Sequence, residues 1–220
     1  MTFAALLFDF DGVLIESEYA GNRQIAEYLT GIDHPTTPEQ SMAKFMGLAG
    51  ADFIAAVEQW IGRALPDSFA TARAEEDARA LAEGVGEVVG AVAFVRGLPL
   101  ELPKAVVSSS STHWIRTHLA HIGLADAFGA HIYSGREHVA RGKPAPDIYL
   151  HAADALGVPI ADCAILEDSP VGATGAVASG GYVIGLVAGA HCGPDHGDRL
   201  RAIGVHAIAR DFDEVAQLLG

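Results

Sequence analysis

The stretch LLFDFDGVLIESE, Leu6 to Glu18, closes an apolar run with two aspartates one residue apart and then a glycine. Side chains alternate along a strand, so Asp9 and Asp11 face one side while Phe10 faces the opposite layer. Two carboxylates held together at the end of a buried strand cost free energy, because desolvation and like charge both oppose ionisation. A positive partner is expected there, and hard carboxylate oxygens suit a divalent cation such as Mg²⁺. A local reading competes with this one: Asp9 ends the strand and Asp11-Gly12 makes a turn, ordinary positions for both residue types.

Working outward, FAALLF (Phe3 to Phe8) is the first of several strand-like apolar runs. The others are KAVVS (Lys104 to Ser108), HIYS (His131 to Ser134), CAILE (Cys163 to Glu167), YVIGLV (Tyr182 to Val187) and VHAIA (Val205 to Ala209). Helical patterns run between most of them, at Trp114 to Ile122, Ile148 to Leu156 and Val171 to Ala178. Strands alternating with helices predict an α/β fold, a Rossmann-like parallel sheet with helices on both faces and its functional edge at the carboxyl ends of the strands.

One gap breaks the alternation. From Ser17 to Val85 no strand pattern occurs. Thr37-Pro38-Glu39-Gln40 is a capping box with proline at the first helical position, and Phe53, Val57 and Trp60 or Ile61 form an apolar stripe. A further helix is expected from Asp67 to Glu83, followed by a hinge in EGVGEVVG, Glu83 to Gly90. The reading is a core of residues 1–16 and 86–220, with an all-helical domain of residues 17–85 inserted after the first strand.

The chain's 220 residues, half of them hydrophobic, suffice for a sizeable core and exclude a disordered chain. A formal net charge of −14 argues against nucleic acid and anionic lipid as partners. A phosphorylated substrate then needs a local positive group, and the lysines are only Lys44, Lys104 and Lys143. Two cysteines, Cys163 and Cys192, are too few for a disulfide framework, and Cys163 reads as a small core residue. With no leader-like N-terminus and no long apolar segment, a cytoplasmic protein is expected.

Three more strand ends carry polar groups. After KAVV comes SSSS, Ser108 to Ser111, suited either to binding an anion at a helix start or simply to capping that helix. Lys143 precedes Pro144 and is biased towards extended backbone, from which it can reach a phosphate or remain a solvated loop lysine. After CAIL come Glu167-Asp168-Ser169-Pro170, a second acidic pair with a helix cap behind it. Each feature has a local explanation by itself. Together, Asp-x-Asp, Ser, Lys and Glu-Asp supply metal ligands, an anion cradle and a counter-charge.

That set resembles the haloacid dehalogenase superfamily across essentially the whole chain: DFDGVL its first motif, VVSSSS its second, GKPAPDIY its lysine motif and ILEDSPVG its fourth. The helical insertion resembles the family's C1-type cap, and the spelling resembles its phosphatase and β-phosphoglucomutase branch. The resemblance implies Asp9 as nucleophile, Asp11 as general acid and base, Ser108 and Ser109 as phosphate binders and Lys143 as charge clamp. It implies Mg²⁺ held by Asp9, the backbone carbonyl of Asp11, and Asp168, with Glu167 a ligand or a group just behind the ligands. An acid at the Asp11 position disfavours the family's carbon–halogen and carbon–phosphorus chemistry.

Two features depart from β-phosphoglucomutase. The cap-hinge histidine of that enzyme is replaced by Glu18-Tyr19-Ala20-Gly21, and its phosphate-binding arginine by Gly47-Leu48-Ala49-Gly50. The segment AHCGPDHGD, Ala190 to Asp198, gathers His191, Cys192, Asp195, His196 and Asp198, but its spacing fits no familiar zinc pattern and it is expected to be a polar surface loop. Ala74 to Ala82 is expected to be a solvated helix face, and no Walker-type loop is present, because Gly142-Lys143 leads into proline.

The expected function is a Mg²⁺-dependent phosphatase of a small sugar, sugar-acid or polyol phosphate, acting through an aspartyl phosphate as a monomer or weak homodimer. A mutase using the same intermediate and a catalytically silent phosphometabolite binder are the alternatives. Substrate choice is expected to come from the insertion, with Lys44 and Arg23 touching the substrate near the Phe45-Met46-Gly47-Leu48 turn.

Overall fold

A computed structural model describes residues 3–46, 48 and 50–220. Its strands are β1 (Ala5–Phe8), β2 (Lys104–Ser108), β3 (Ile132–Ser134), β4 (Cys163–Glu167), β5 (Tyr182–Leu186) and β6 (Ala207–Ala209). They form one sheet in the order β3-β2-β1-β4-β5-β6, and every neighbouring pair is parallel. β1 is central and buried at all four residues, as a strand covered on both faces must be. Strand order reverses on either side of β1, which makes the carboxyl ends of β1, β2 and β4 a natural crevice.

Alternation along β1 feeds two apolar layers. Leu6 and Phe8 join one, Ala5 and Leu7 the other, and Phe10 continues the parity beyond the strand by packing with Leu6 and Phe8. Burying a side chain such as Phe8 contributes about 1.5–3 kcal/mol.

Between β1 and β2 lie helices α1 (Ser17–Gly31), α2 (Pro38–Phe45), α3 (Gly50–Ile61) and α4 (Ser68–Glu83), then the short α5 (Ala91–Gly97). The first three share their own apolar cluster, in which Ile25, Leu29, Phe45, Val57 and Ile61 are buried, and Phe69 of α4 lies against the Tyr28 and Phe53 rings. The capping box forms as expected: Thr37 Oγ1 accepts from Gln40 N and Gln40 Oε1 from Thr37 N. Of the apolar stripe, Val57 and Ile61 are buried, whereas Trp60 is half-buried and its indole N–H donates to Thr36 Oγ1 at 3.1 Å.

The two connections to the insertion run side by side. Ile15 and Glu87 form an antiparallel bridge, Glu16 N donates to Gly86 O at 2.9 Å and Val88 N to Leu14 O at 3.1 Å. Gly84 and Gly90, at φ 85° and 89°, turn the chain there in a region most side chains avoid. The remaining crossovers are α6 (Thr112–His121), α7 (Asp147–Leu156), α8 (Pro170–Ser179) and α9 (His196–Ile203), and α10 (Phe212–Leu219) follows the last strand. Among the described residues no helix is long and apolar enough to cross a membrane.

Candidate active site

Asp9 directly follows β1, and its backbone N–H still donates to Leu166 O at 2.9 Å, so the ladder to β4 fixes its position. Asp11 and Gly12 then form a turn with Gly12 at φ 79°. A Cβ at residue 12 would lie 2.0 Å from Asp168 Oδ2, so only glycine lets this turn approach β4. The turn is present, and Asp9 and Asp11 line the same cleft.

Lys143 reaches in from the loop before α7. Its Nζ donates to Asp9 Oδ1 at 2.7 Å and Glu167 Oε1 at 2.5 Å, and its side chain is 3% exposed. Burial works against its charge, but Asp9 and Glu167 outweigh that and hold its pKa above the ordinary lysine value. Burial and then Glu167 push Asp9 well above the usual carboxylate range, with Lys143 opposing. Burial likewise raises Glu167, whose Oε1 also accepts from Tyr149 OH at 2.6 Å. A Cβ at Gly172 would strike Glu167 Oε2 at 2.1 Å, so α8 can start against this carboxylate only with glycine there.

Asp9, Glu167 and Asp168 are all buried and offer oxygens within 4.8 Å of one another. Asp168 Oδ1 is buried and has no hydrogen-bond partner among the described residues. Three carboxylates against Lys143 and His191 still leave the cluster short of positive charge, and an all-oxygen donor set fits a hard divalent cation.

Asp11 is held differently. Its Oδ1 accepts from Ser17 Oγ at 2.6 Å and Trp114 Nε1 at 3.1 Å, its Oδ2 from Ser110 Oγ at 2.7 Å and Ser108 Oγ at 3.3 Å. The serine run divides its work: Ser111 caps α6 by accepting from Trp114 N, which frees Ser108 and Ser110 for Asp11. Ser109 is exposed and lines the cleft.

The cleft, about 1180 Å³, is lined by Asp9, Asp11, Ser108, Ser109, Lys143 and Asp168 from the core and by Ile25, Phe45, Met46, Leu48, Phe53 and Arg73 from the insertion. Arg23 and Lys44, expected at the substrate, do not line it. Arg23 is on the outer face of α1, 3.9 Å from Glu27 with half its side chain exposed, and Lys44 Nζ lies 5.2 Å over the Trp60 ring. The insertion's cationic lining residue is Arg73, steadied by Gln24 Oε1 at 3.0 Å. Glu76 and Asp77 also rim the cleft, so the Ala74 to Ala82 segment is not solely a solvated face. Gly47 and Ala49, in the stretch compared with the mutase arginine, lie outside the described residues.

The His191 to Asp198 segment is not the surface loop its composition suggests. His191 Nε2 lies 2.7 Å from Asp168 Oδ2, and His196 Nε2–H donates to the Asp168 carbonyl at 2.5 Å, with both rings buried. Burial alone would lower the His191 pKa, but the hydrogen bond to Asp168 raises it to about 11. The room comes from two glycines: a Cβ at Gly189 or Gly12 would lie 2.5 Å or 2.8 Å from His191 Cε1. Trp114, Ser17 and Tyr149 escaped the sequence reading as site residues, and Ser110 and His191 entered it only as members of a serine run and of a polar loop. Trp114 left the clearest trace, one turn beyond the serine run.

Residues 3–180 match the family described as haloacid dehalogenase-like hydrolase. The chain belongs to this family. It is 31% identical to hexitol phosphatase A of Escherichia coli (strain K12) over 189 residues, 84% of each chain. It is 26% identical to 6-phosphogluconate phosphatase of the same organism over 216 residues, 97% of this chain and 92% of that one. Its fold superposes on a family hydrolase from Deinococcus radiodurans R1, solved with bound phosphate and sodium, with a TM-score of 0.87 and 30% identity, covering 99% of this chain and 95% of the other.

Proposed function

We propose that this family member is a Mg²⁺-dependent phosphatase of small phosphorylated metabolites, of the polyol, sugar or sugar-acid class. The observation that carries the reading is the different treatment of two neighbouring aspartates in one cleft: Asp9 paired with a buried lysine, Asp11 held by four neutral donors. One is suited to attack and the other to proton transfer.

Lys143 occupies Asp9 Oδ1, which leaves Oδ2 to form the bond to phosphorus. The phosphorus–oxygen bond to the alcohol breaks as Asp11, which enters this step protonated, gives that proton to the leaving oxygen. Asp11 then removes a proton from the water that cleaves the aspartyl phosphate, and Asp9 is regenerated. When substrate binds, the Ser108 hydroxyl turns from its long 3.3 Å bond to Asp11 Oδ2 and donates to a phosphoryl oxygen, as does Ser109. Asp9, the backbone carbonyl of Asp11, and Asp168 would hold the cation; Glu167 is within reach of it, but its oxygens are engaged by Lys143, Tyr149 and Ser169. When bound, Mg²⁺ supplies positive charge to Asp9 and to the phosphoryl group. Lys143 adds to it from within the protein.

Residues 17–85 act as a cap that excludes water and selects the leaving alcohol. Hexitol phosphatase and 6-phosphogluconate phosphatase, named for a polyol and a sugar-acid phosphate, support that substrate class. The mutase alternative has less support, since Glu18 and Tyr19 stand where that enzyme has its hinge histidine. A phosphate-release assay over polyol, sugar and sugar-acid phosphates, with Asp9→Asn as control, tests the proposal; no release above that control on any of them would defeat it.

A further inference from the structure

Asp168 treats its two carboxylate oxygens differently. Oδ1 has no hydrogen-bond partner among the described residues, whereas Oδ2 lies 2.7 Å from His191 Nε2. On that second side stand His191, Cys192 and His196, with one ring nitrogen of each histidine and the cysteine sulfur all within 4.8 Å of one another. The phosphatase mechanism uses none of these three.

We propose that His191, Cys192 and His196, with Asp168 Oδ2 as fourth donor, form a second metal site that takes a borderline-soft divalent cation of the zinc type. It is separate from the hard-cation site on the other side of Asp168, and it does not rest on the phosphatase reading. Two nitrogens, a sulfur and one carboxylate oxygen are the donor set of a tetrahedral zinc centre, whereas Mg²⁺ takes oxygens.

The spacing supports this. Zinc bonds of about 2.0–2.1 Å to nitrogen and oxygen and about 2.3 Å to sulfur put tetrahedral neighbours roughly 3.3 Å apart for N and O and roughly 3.5 Å for N and S. Here His191 Nε2 is 2.7 Å from Asp168 Oδ2 and 3.3 Å from Cys192 Sγ. These two separations are within roughly 0.6 Å of the tetrahedral values, and the His191, Cys192 and His196 donors stay within 4.8 Å of one another, so the side chains draw in around the ion as it binds. His196 has the companion feature of a metal-binding histidine: Nε2–H donates to the Asp168 carbonyl at 2.5 Å, which fixes the tautomer and leaves the lone pair on Nδ1. Both histidines are buried, while Cys192 is partly exposed and gives the ion a way in. An ion pair of His191 with Asp168 would explain those two residues but not the convergence of Cys192 and His196 on them.

The test uses the whole chain, stripped of metal with a chelator, as wild type and as Asp9→Asn, which weakens the hard-cation site. Each is titrated with Co²⁺, followed by absorbance, and then with Zn²⁺ in competition. The expected result is one equivalent of cobalt with a near-ultraviolet thiolate-to-cobalt band in both proteins, displaced by zinc. Cys192→Ser should lose that band, and His196→Gln should bind zinc about tenfold or more weakly. Cobalt bound without a thiolate band in the wild type, which needs no variant to fold, would overturn the proposal. So would zinc binding in Cys192→Ser and His196→Gln as tight as in the parent. Failure of the phosphatase reading shows elsewhere, as missing phosphate release by the wild type with Mg²⁺.

Discussion

Lys143 Nζ stands 2.7 Å from Asp9 Oδ1, with both side chains almost sealed from solvent. The pair has two consequences that can be measured separately. Lys143→Ala should lower kcat/KM on the order of a hundredfold or more, because it removes charge stabilisation of the transferring group. A change confined to a few-fold rise in KM would remove Lys143 from the mechanism. The same variant leaves Asp9 and Glu167 buried with no cation, a loss of about 3–5 kcal/mol by analogy with other broken buried pairs. Carboxyls raised further in the folded state lose stability as pH rises, so the Tm deficit should be larger at about pH 8 than at about pH 5.

Asp9→Asn should abolish turnover of both a sugar phosphate and a generic aryl phosphate while leaving the fold intact. Excess chelator should do the same to the wild type, reversibly. Full turnover under either condition would show that another nucleophile operates.

Trp114 donates to Asp11 Oδ1 at 3.1 Å from the first turn of α6. Trp114→Phe keeps the ring and removes the donor. A hydrogen bond to a charged group contributes about 1.5–3 kcal/mol, so kcat should fall roughly tenfold or more with KM little changed. An unchanged kcat would mean that the three hydroxyl donors suffice to hold Asp11.

Glu18 lines the cleft, where burial, then Asp168 and Asp11, raise its pKa to about 7. Its proton is held more tightly in the folded chain than in the unfolded one. Stability is therefore lost as pH rises from the ordinary glutamate range through neutrality. Glu18→Gln should melt higher than the parent at about pH 8, and the advantage should disappear near pH 4. Equal melting temperatures at both pH values would contradict the raised pKa.

Substrate choice should depend on Arg73 rather than on Lys44. Arg73→Ala is expected to lower kcat/KM about tenfold or more on a sugar-acid phosphate while sparing an aryl phosphate without hydroxyls. Lys44→Ala should change neither by more than a few-fold. Selective loss in the lysine variant alone would reverse this assignment of cap residues.

The core was legible because each strand end combines a period-two apolar run with a residue that makes little sense without its neighbours. Asp9, Lys143 and Asp168 could be singled out for that reason. The ligands of the ligands were not legible. Trp114, Tyr149 and His191 act across sequence separations of 103, 18 and 23 residues, on Asp11, Glu167 and Asp168 respectively. No local pattern encodes which rings a fold will bring together. The seven-residue α5 was missed because it is too short to show a helical period. Arg23 and Lys44 do not line the cleft, because charge and proximity to a turn say nothing about which way a helix faces. Composition also misled at His191 and His196, where glycines at 12 and 189 make room that polar residue counts do not reveal.

The hydrogen bond from Glu16 N to Gly86 O means that the chain leaves the core and returns to it at almost the same point. Joining those ends would need only a tight loop, so the 69 residues between them are a detachable module in the engineering sense. A grafted segment of any length whose termini lie side by side could replace them without opening the sheet. Of Asp11's four side-chain donors only Ser17 belongs to the module, so such a graft would forfeit one hydrogen bond at that aspartate and keep the other three.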